Sequence, residues 1–418
     1  MNGNSESAET YFGTLQVNVT TAGYLKPIEG ATVQIVFTGD PAEPPQTTLT
    51  DESGQTPMIT LVTPPLSYSM TPREYQPYSL YTIRVSAPGY IPIEISGIEI
   101  FPGQTAIQNV SMDDEGATSE DFETIVLPAN TLYASYPPKI PEDEIKTVSE
   151  TGEIVLSRVV IPEYIIVHDG PPSDRNANNY YVRYTDYIKN VASSEIYATW
   201  PDATLRANIL AIQSFTLNRV YTEWYRNQGF DFTITSSTAY DHKWNYGQTI
   251  YQSISQIVDE LFTNFLSRPN VRQPILTQYC DGRQVTCDGW MSQWGSKYLG
   301  DRGYSAIEIL RYYYGSDIYI NTAEEVSGVP ASWPRVTLTV GSSGSKVRQI
   351  QEELNAISRS YPAIPRVTAD GIYGSQTQNA VRKFQSIFGL PVTGDIDYST
   401  WYKISAIYVA TTRIAELR

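Results

Sequence analysis

At 418 residues the chain is too long for one ordinary domain, and with 41% hydrophobic residues it can bury several cores. A formal net charge of −16 repels phosphate backbones, which argues against nucleic acid as a ligand and does not oppose an uncharged glycan. The 32 Tyr and 7 Trp supply flat amphipathic rings that suit sugar faces, although packing in β-rich cores accounts for most of them.

No run of about 18 apolar residues is present, so no membrane span is expected. The stretch Met1 to Thr10 is polar and acidic, without the basic and apolar regions of a signal peptide, which leaves the export route open. From residue 11 to 113 the pattern alternates as strands do. TLQVNV, ATVQIVF, MITLV, YTIRVSA and IEISGIEI are separated by Gly, Pro and Asp turns, and their spacing predicts a small β-sandwich. On PIEGATVQIVF, TLTDESGQT and YTIRVSAPGYIPIEI, this part resembles the transthyretin-like or carboxypeptidase-regulatory fold. That resemblance implies a scaffold or adhesion unit and assigns no site. Exposed strand edges would give it a route to self-association.

Residues 114–160 are acidic and Pro-rich, as in DDEGATSEDFE and YPPKIPEDE, and read as an extended linker. A second linker spans 321–340 and contains NTAEEVSGVPASWP. Between them, residues 161–320 read as a mixed α/β (α+β) domain. Its two cysteines, Cys280 and Cys287, lie in YCDGRQVTC, where a short-loop disulfide and two plain thiols both fit. Zinc would need His168 and His242 to converge on them, against the usual ligand spacing, so neither a metal nor a cofactor is expected.

Within this domain TDYIKNVAS has helical spacing through Tyr184, Tyr187, Ile188 and Val191. A long helix is predicted from Pro201–Asp202, with Leu205, Ile209, Ile212 and Leu217 making it apolar over much of its circumference and therefore buried. The stretch YIKNVASSEIYATWP, and later GWMSQWGSKYLGDRGYSAIEILRYYYG, resemble the SpoIID family, lytic transglycosylases of sporulation and related enzymes. Such enzymes need one carboxylic acid that stays protonated near neutral pH, protonates the glycosidic oxygen and then assists attack by the 6-hydroxyl. Glu195 matches the family's catalytic glutamate. Expected just past the end of the Tyr184–Val191 helix, it would feel the negative end of that helix dipole, which raises its pKa. Ser292 and Gln293 fall where the family lines its glycan cleft, and Trp200 and Trp294 would stack on sugar or pack. The family's Gly-His-Gly run before Met-Ser-Gln is replaced by CDGW, Gln213 stands where Arg is common, and the intervening loop is short. The metal-binding His/Cys set of some members is not recognisable either.

Residues 341–418 predict a small three-helix domain. Val347, Ile350, Leu354 and Ile357 share one face, as do Thr377, Val381, Phe384 and Phe388. Ser375 followed by Gln378 reads as a capping box, Gly389 as a C-terminal stop, and a third helix follows Asp397 with Trp401, Ile404 and Ile407. TADGIYGSQT and TGDIDYST echo each other as an internal turn-plus-helix repeat. Over Gly341–Leu354, Asp370–Gln385 and Thr400–Trp401 the segment resembles the peptidoglycan-binding type 1 domain. The resemblance implies peptidoglycan as partner, with Tyr373 and Gln376 near an exposed turn as contacts. Two functions follow: an enzyme of the cell wall or spore envelope that cleaves glycan through Glu195, or a protein of the same place that binds glycan without cutting it.

Overall fold

The computed structural model describes residues 10–412 apart from 23–25, 41, 43, 73–74, 115–122, 135–136, 147–155 and 331. The N-terminal strands are β1 (Tyr11–Thr21), β2 (Thr32–Phe37), β3 (Gln46–Leu49), β4 (Ile59–Thr63), β5 (Ser79–Ser86), β6 (Ile93–Ile100), β7 (Thr105–Met112) and β8 (Glu123–Val126), with one helical turn, α1 (Ser67–Met70), after β4. They form two sheets, ordered β7-β1-β4 and β3-β2-β5-β6-β8. In β1 the alternation is strict: Leu15, Val17 and Val19 are buried, while Gln16, Asn18 and Thr20 face outward. Val33, Ile83 and Val85 of the second sheet belong to the same apolar cluster. Each fully buried aliphatic side chain of this kind contributes about 1.5–3 kcal/mol.

The central region contains β9 (Val160–Ile161), β10 (Tyr164–His168), β11 (Asn179–Arg183), α2 (Tyr184–Glu195), α3 (Asp202–Tyr221), β12 (Ile234–Thr235), β13 (Ile250–Tyr251), α4 (Gln252–Leu261), β14 (Asn264–Ser267), β15 (Tyr279–Cys280), β16 (Met291–Ser292), α5 (Gln293–Gly300), α6 (Ala306–Tyr314), β17 (Tyr319–Thr322) and β18 (Glu325–Val326). Mixed α/β content is as expected. Helix α3 is its axis, packed by α2, α4, α5, α6 and β14. Helix α2 is longer than its apolar spacing indicates, so Glu195 closes its last turn rather than lying beyond it. Strand β13 pairs with β7, Ile250 opposite Ile107, and so extends the first N-terminal sheet from the middle of the chain. Cys280 and Cys287 form a disulfide with Cα atoms 5.7 Å apart.

The acidic segment 114–160 is not a free linker where it is described. Residues 123–126 add β8 to the second sheet in parallel with β6. Beyond it Asn130, Leu132 and Lys139 are buried. The composition misleads because Glu142 and Glu144 are partnered by Arg219 and Arg268 of the central region. The second linker is also tied down, by β18 on β9 and by Trp333 against Trp401.

The C-terminal helices are α7 (Ser345–Ile357), α8 (Ser375–Ile387) and α9 (Tyr398–Thr412). Val347, Ile350, Leu354, Phe384, Trp401 and Ile404 form a core separate from the rest of the molecule. The expected capping box at Ser375 is absent: Gly374 is the cap of α8 and no side chain bonds there. The capping box lies instead at Ser305 and Glu308, opening α6. This helical unit docks on both other parts. Asp259 of α4 takes Lys189 of α2 at 2.7 Å and Lys403 of α9 at 3.5 Å. Gln55 donates to the Ile387 carbonyl at 2.9 Å, and Gln256 to the Gly389 carbonyl at 3.1 Å.

Glu99 of β6 is buried and accepts the Asn130 N–H at 2.8 Å. Burial pushes its pKa up from 4.5 to about 8, opposed first by the hydrogen bond from the Asn130 N–H. With the folded value above the unfolded one, its contribution is fully present below the unfolded pKa and is lost as pH rises through the folded one. Glu99→Gln removes that loss. In urea denaturation, wild-type stability relative to the variant should fall between about pH 5 and about pH 9. A difference that does not change with pH would show that Glu99 is already charged in the fold.

Candidate functional site

Glu195 is 0% exposed, at the junction of α2, β15 and α5. The backbone N–H of Lys243 donates to its Oε1 at 2.6 Å, and the Tyr279 hydroxyl donates to its Oε2. Gln293, the first residue of α5, donates from Nε2 to the Glu195 carbonyl at 3.3 Å. The ring of His242 stacks 5.8 Å from Tyr279, and its Nδ1 lies 3.0 Å from the Tyr187 hydroxyl. Lys139 arrives from the acidic segment. Its Nζ donates to the Thr238 carbonyl at 3.2 Å and to that of Asp241, and lies 5.0 Å from the centre of the Tyr279 ring.

Behind this layer is Arg219 of α3. Its Nε pairs with Asp241 Oδ1 at 2.7 Å, and Nη1 and Nη2 take both oxygens of Glu142 at 2.9 and 2.6 Å. Asp241 Oδ2 accepts from Tyr225, from the Thr235 hydroxyl and from the Thr235 N–H.

Burial is the largest influence on Glu195, Lys139, His242 and Lys243. It raises the Glu195 pKa, opposed by the charge of Lys139 and by the bonds from Lys243 and Tyr279. It lowers Lys139, and it lowers His242 well below the usual imidazole range, reinforced by Lys139 and Arg219. A carboxyl with a raised pKa beside a neutral imidazole has the electronics of a proton donor. Access to substrate is what the site lacks, because a general acid must come within hydrogen-bond reach of the bond it protonates.

The other sequence-derived site residues are placed differently from one another. Gln293 is brought to Glu195. Ser292 caps α5, accepting the Gly295 N–H at 2.9 Å. Trp200 is 3% exposed, with its ring centre 5.0 Å from that of Trp294 and its indole N–H on the Ser69 carbonyl, so both Trp rings pack rather than offering a face to sugar. On the helical unit Gln376 is exposed, but Tyr373, expected near an exposed turn, is 1% exposed and donates to the Gly394 carbonyl at 2.8 Å. Nothing local in the sequence signals Lys139, Glu142, Asp241 or Tyr279, which are joined to Asp241, Arg219, Arg219 and Glu195 across 102, 77, 22 and 84 positions.

The turn repeat of the helical unit has a physical basis. Buried Gln351 accepts the Gly371 N–H at 2.8 Å and donates to Asp370, to the Ile372 carbonyl and to Thr377. Buried Gln385 repeats this with the Gly394 N–H, Thr393, the Asp395 carbonyl and Thr400. Gly371 and Gly394 have φ of +79° and +80°, a region costly for residues with a Cβ.

Residues 343–404 match the family described as "Putative peptidoglycan binding domain". This C-terminal match supports association with peptidoglycan. No curated protein matches the chain. Among solved structures it is similar to the SleB N-terminal domain, at 28% identity and TM-score 0.16, over 18% of this chain and 99% of that one. It is similar to the Bacillus anthracis TIE protein at 14% identity and TM-score 0.18, over 25% and 17%. The wild-type Acinetobacter radioresistens catechol 1,2 dioxygenase follows at 18% identity and TM-score 0.19, over 30% and 60%. TM-scores this low carry no weight on fold or function. No helix of the described residues is long and apolar enough to cross a membrane.

Gln351→Leu should destabilise the helical unit by about 2 kcal/mol, because the Gly371 N–H is left buried without a partner. Gln385→Leu should do the same at the second turn. Chemical denaturation of residues 335–418 alone measures both, and losses below about 0.5 kcal/mol would show that these glutamines do not pin the turns. Glu195→Gln replaces an acceptor with a donor facing Tyr279 and removes the charge facing Lys139. It should cost the full chain about 1–3 kcal/mol. Unchanged stability would contradict the hydrogen-bonded carboxyl described here.

Proposed function

We propose that the protein is an anchored component of the cell wall or spore envelope that binds peptidoglycan without cleaving it. Residues 343–404 are the anchor. The central region is a SpoIID-like domain in which Glu195 keeps the place of the family's acid but serves to hold the core, and the N-terminal sheets, in the manner of a transthyretin-like sandwich, are its scaffold. One observation carries the non-catalytic assignment: Glu195 is fully buried with a hydrogen bond to each carboxylate oxygen. The loss of the Gly-His-Gly run and the short loop before MSQWG agree with it. The competing reading, a lytic transglycosylase, is favoured by the raised pKa of Glu195 beside His242 and would require the layer over it to open.

Residues 335–418 have their own core, so they can be tested alone. This fragment should be retained on purified sacculi; its recovery in the unbound fraction would refute the anchor role. The full chain, incubated with the same sacculi, should release no 1,6-anhydromuramyl products detectable by mass spectrometry. Release of those products by wild type and not by Glu195→Gln would establish the enzyme instead.

A further inference from the structure

A cleft of about 1420 Å³, open solvent at its mouth included, lies where all three parts of the chain meet. Its floor is the outer face of β1 and β7, the polar side of the alternation that buries Leu15, Val17 and Val19. One wall is α2 with the segment before β13, and the other is the docked helical unit. Six carboxamides line it: Gln16, Asn18, Gln55, Asn109, Asn190 and Gln248.

Most of these amides are fixed by one another and by backbone. Gln55 Nε2 bridges Asn18 Oδ1 at 3.0 Å and the Ile387 carbonyl at 2.9 Å. Asn18 Nδ2 donates to Asn109 Oδ1 at 3.0 Å. Asn190 bonds the backbone of Asn245 through both its amide atoms. The Asn109 Nδ2 and the whole carboxamide of Gln16 remain uncommitted among the described residues. A carboxamide both donates and accepts, as do a sugar hydroxyl and an acetamido group. Ile107 and the half-buried ring of Phe388 add apolar surface of the kind that packs on a pyranose face. The two lining lysines, Lys189 and Lys403, are both turned to Asp259, so no uncommitted lining cation recommends an anion. Clefts between parts of a chain, with a few fixed polar groups on apolar walls, are the usual place for a ligand.

We propose that this cleft is a second glycan-binding site, taking a short stretch of neutral, N-acetylated oligosaccharide along the outer face of β1 and β7. The choice of an N-acetylated glycan among neutral polar ligands rests on the wall-binding assignment above. Occupancy would bridge the N-terminal sheet and the helical unit, and so fix the anchor's orientation on the strand it holds.

The test is calorimetric titration of the full chain with the tetramer of N-acetylglucosamine, with cellotetraose as the sugar lacking acetamido groups. Wild type should bind the first saturably, at about millimolar affinity or tighter. Asn109→Trp fills the cleft from an exposed strand position and should weaken binding at least about tenfold, while Gln16→Ala should weaken it about threefold. Should the larger side chain disturb folding, Gln16→Ala decides. No binding by wild type, or equal binding by wild type and both variants, would overturn the inference. Equal binding of cellotetraose would overturn the acetamido specificity. Sacculus retention by residues 335–418 alone is independent, because that fragment lacks β1 and β7. Retention with a silent cleft sinks this inference alone, and loss of retention with a working cleft sinks the anchor alone.

Discussion

A guanidinium that is 1% exposed must be paired on every side, and the pairing of Arg219 organises the centre of this molecule. One partner, Asp241, comes from the loop after β12, and the other, Glu142, from a segment nearly eighty positions earlier. Breaking such a pair from one side typically costs about 3–5 kcal/mol, because the remaining charge is stranded in low dielectric. That cost keeps an acidic, Pro-rich stretch on the surface of α3 and carries Lys139 inward to the ring of Tyr279. Lys139 is bonded to two carbonyls of the Thr238–Asp241 turn, and that turn leads directly into His242 and Lys243. The turn that brings the Lys243 N–H to Glu195 is thus tied to the pairing of Arg219.

Burial has two effects at Glu195, and they oppose each other functionally. Desolvation raises its pKa, which is what acid catalysis at neutral pH needs. The same packing gives each oxygen a donor inside the protein and leaves the carboxyl no exposed surface. A catalytic acid tolerates the first condition and not the second. Glu99 shows that a buried, elevated carboxyl is not by itself a catalytic signature in this chain, since it sits in a strand of the N-terminal sheets with the Asn130 N–H as its partner. Geometry has to separate the two cases, and at Glu195 it favours a structural role.

The sequence was most legible where structure is local. The faces of α7 and α8 follow from residues three and four apart, and the alternation of β1 follows from residues two apart. The turn repeat in the helical unit was visible as well, while its cause, a buried glutamine from the preceding helix, was not. Legibility failed where partners are distant. Composition marks YPPKIPEDE as linker because nothing local can bury it, yet Arg219 and Arg268 do. Tyr373 sits in a turn that reads as exposed, but its hydroxyl finds the Gly394 carbonyl of the second repeat. The capping boxes make the same point on a small scale. The Ser-x-x-Gln at Ser375 goes unused because the helix begins one residue earlier, at the Gly374 cap. The Ser-x-x-Glu at Ser305 is used, with the Glu308 carboxylate accepting from the Ser305 backbone N–H.

The N-terminal and central parts share one apolar core, with Phe101 packed on Tyr197 and Tyr251, while the helical unit is joined to them by Phe262 against Tyr398 and Tyr402 and by a set of polar contacts that bear on how the parts work together. Gln55, Gln256 and Arg183 each donate to a backbone carbonyl of the helical unit, and Asp259 holds a lysine from each side. Hydrogen bonds of this kind are each worth about 0.5–1.5 kcal/mol, but they fix direction as apolar contacts do not. An anchor meant only to tether would need a flexible connection. Here the connection is pinned: β18 lies on β9, Trp333 lies against Trp401, and Gln55, bonded to the outward Asn18 of β1, reaches across to the Ile387 carbonyl of α8. The strand pattern that places Val17 and Val19 inside places Asn18 outside, so the partner that holds Gln55 toward the helical unit is set by the same two-residue period that builds the N-terminal core.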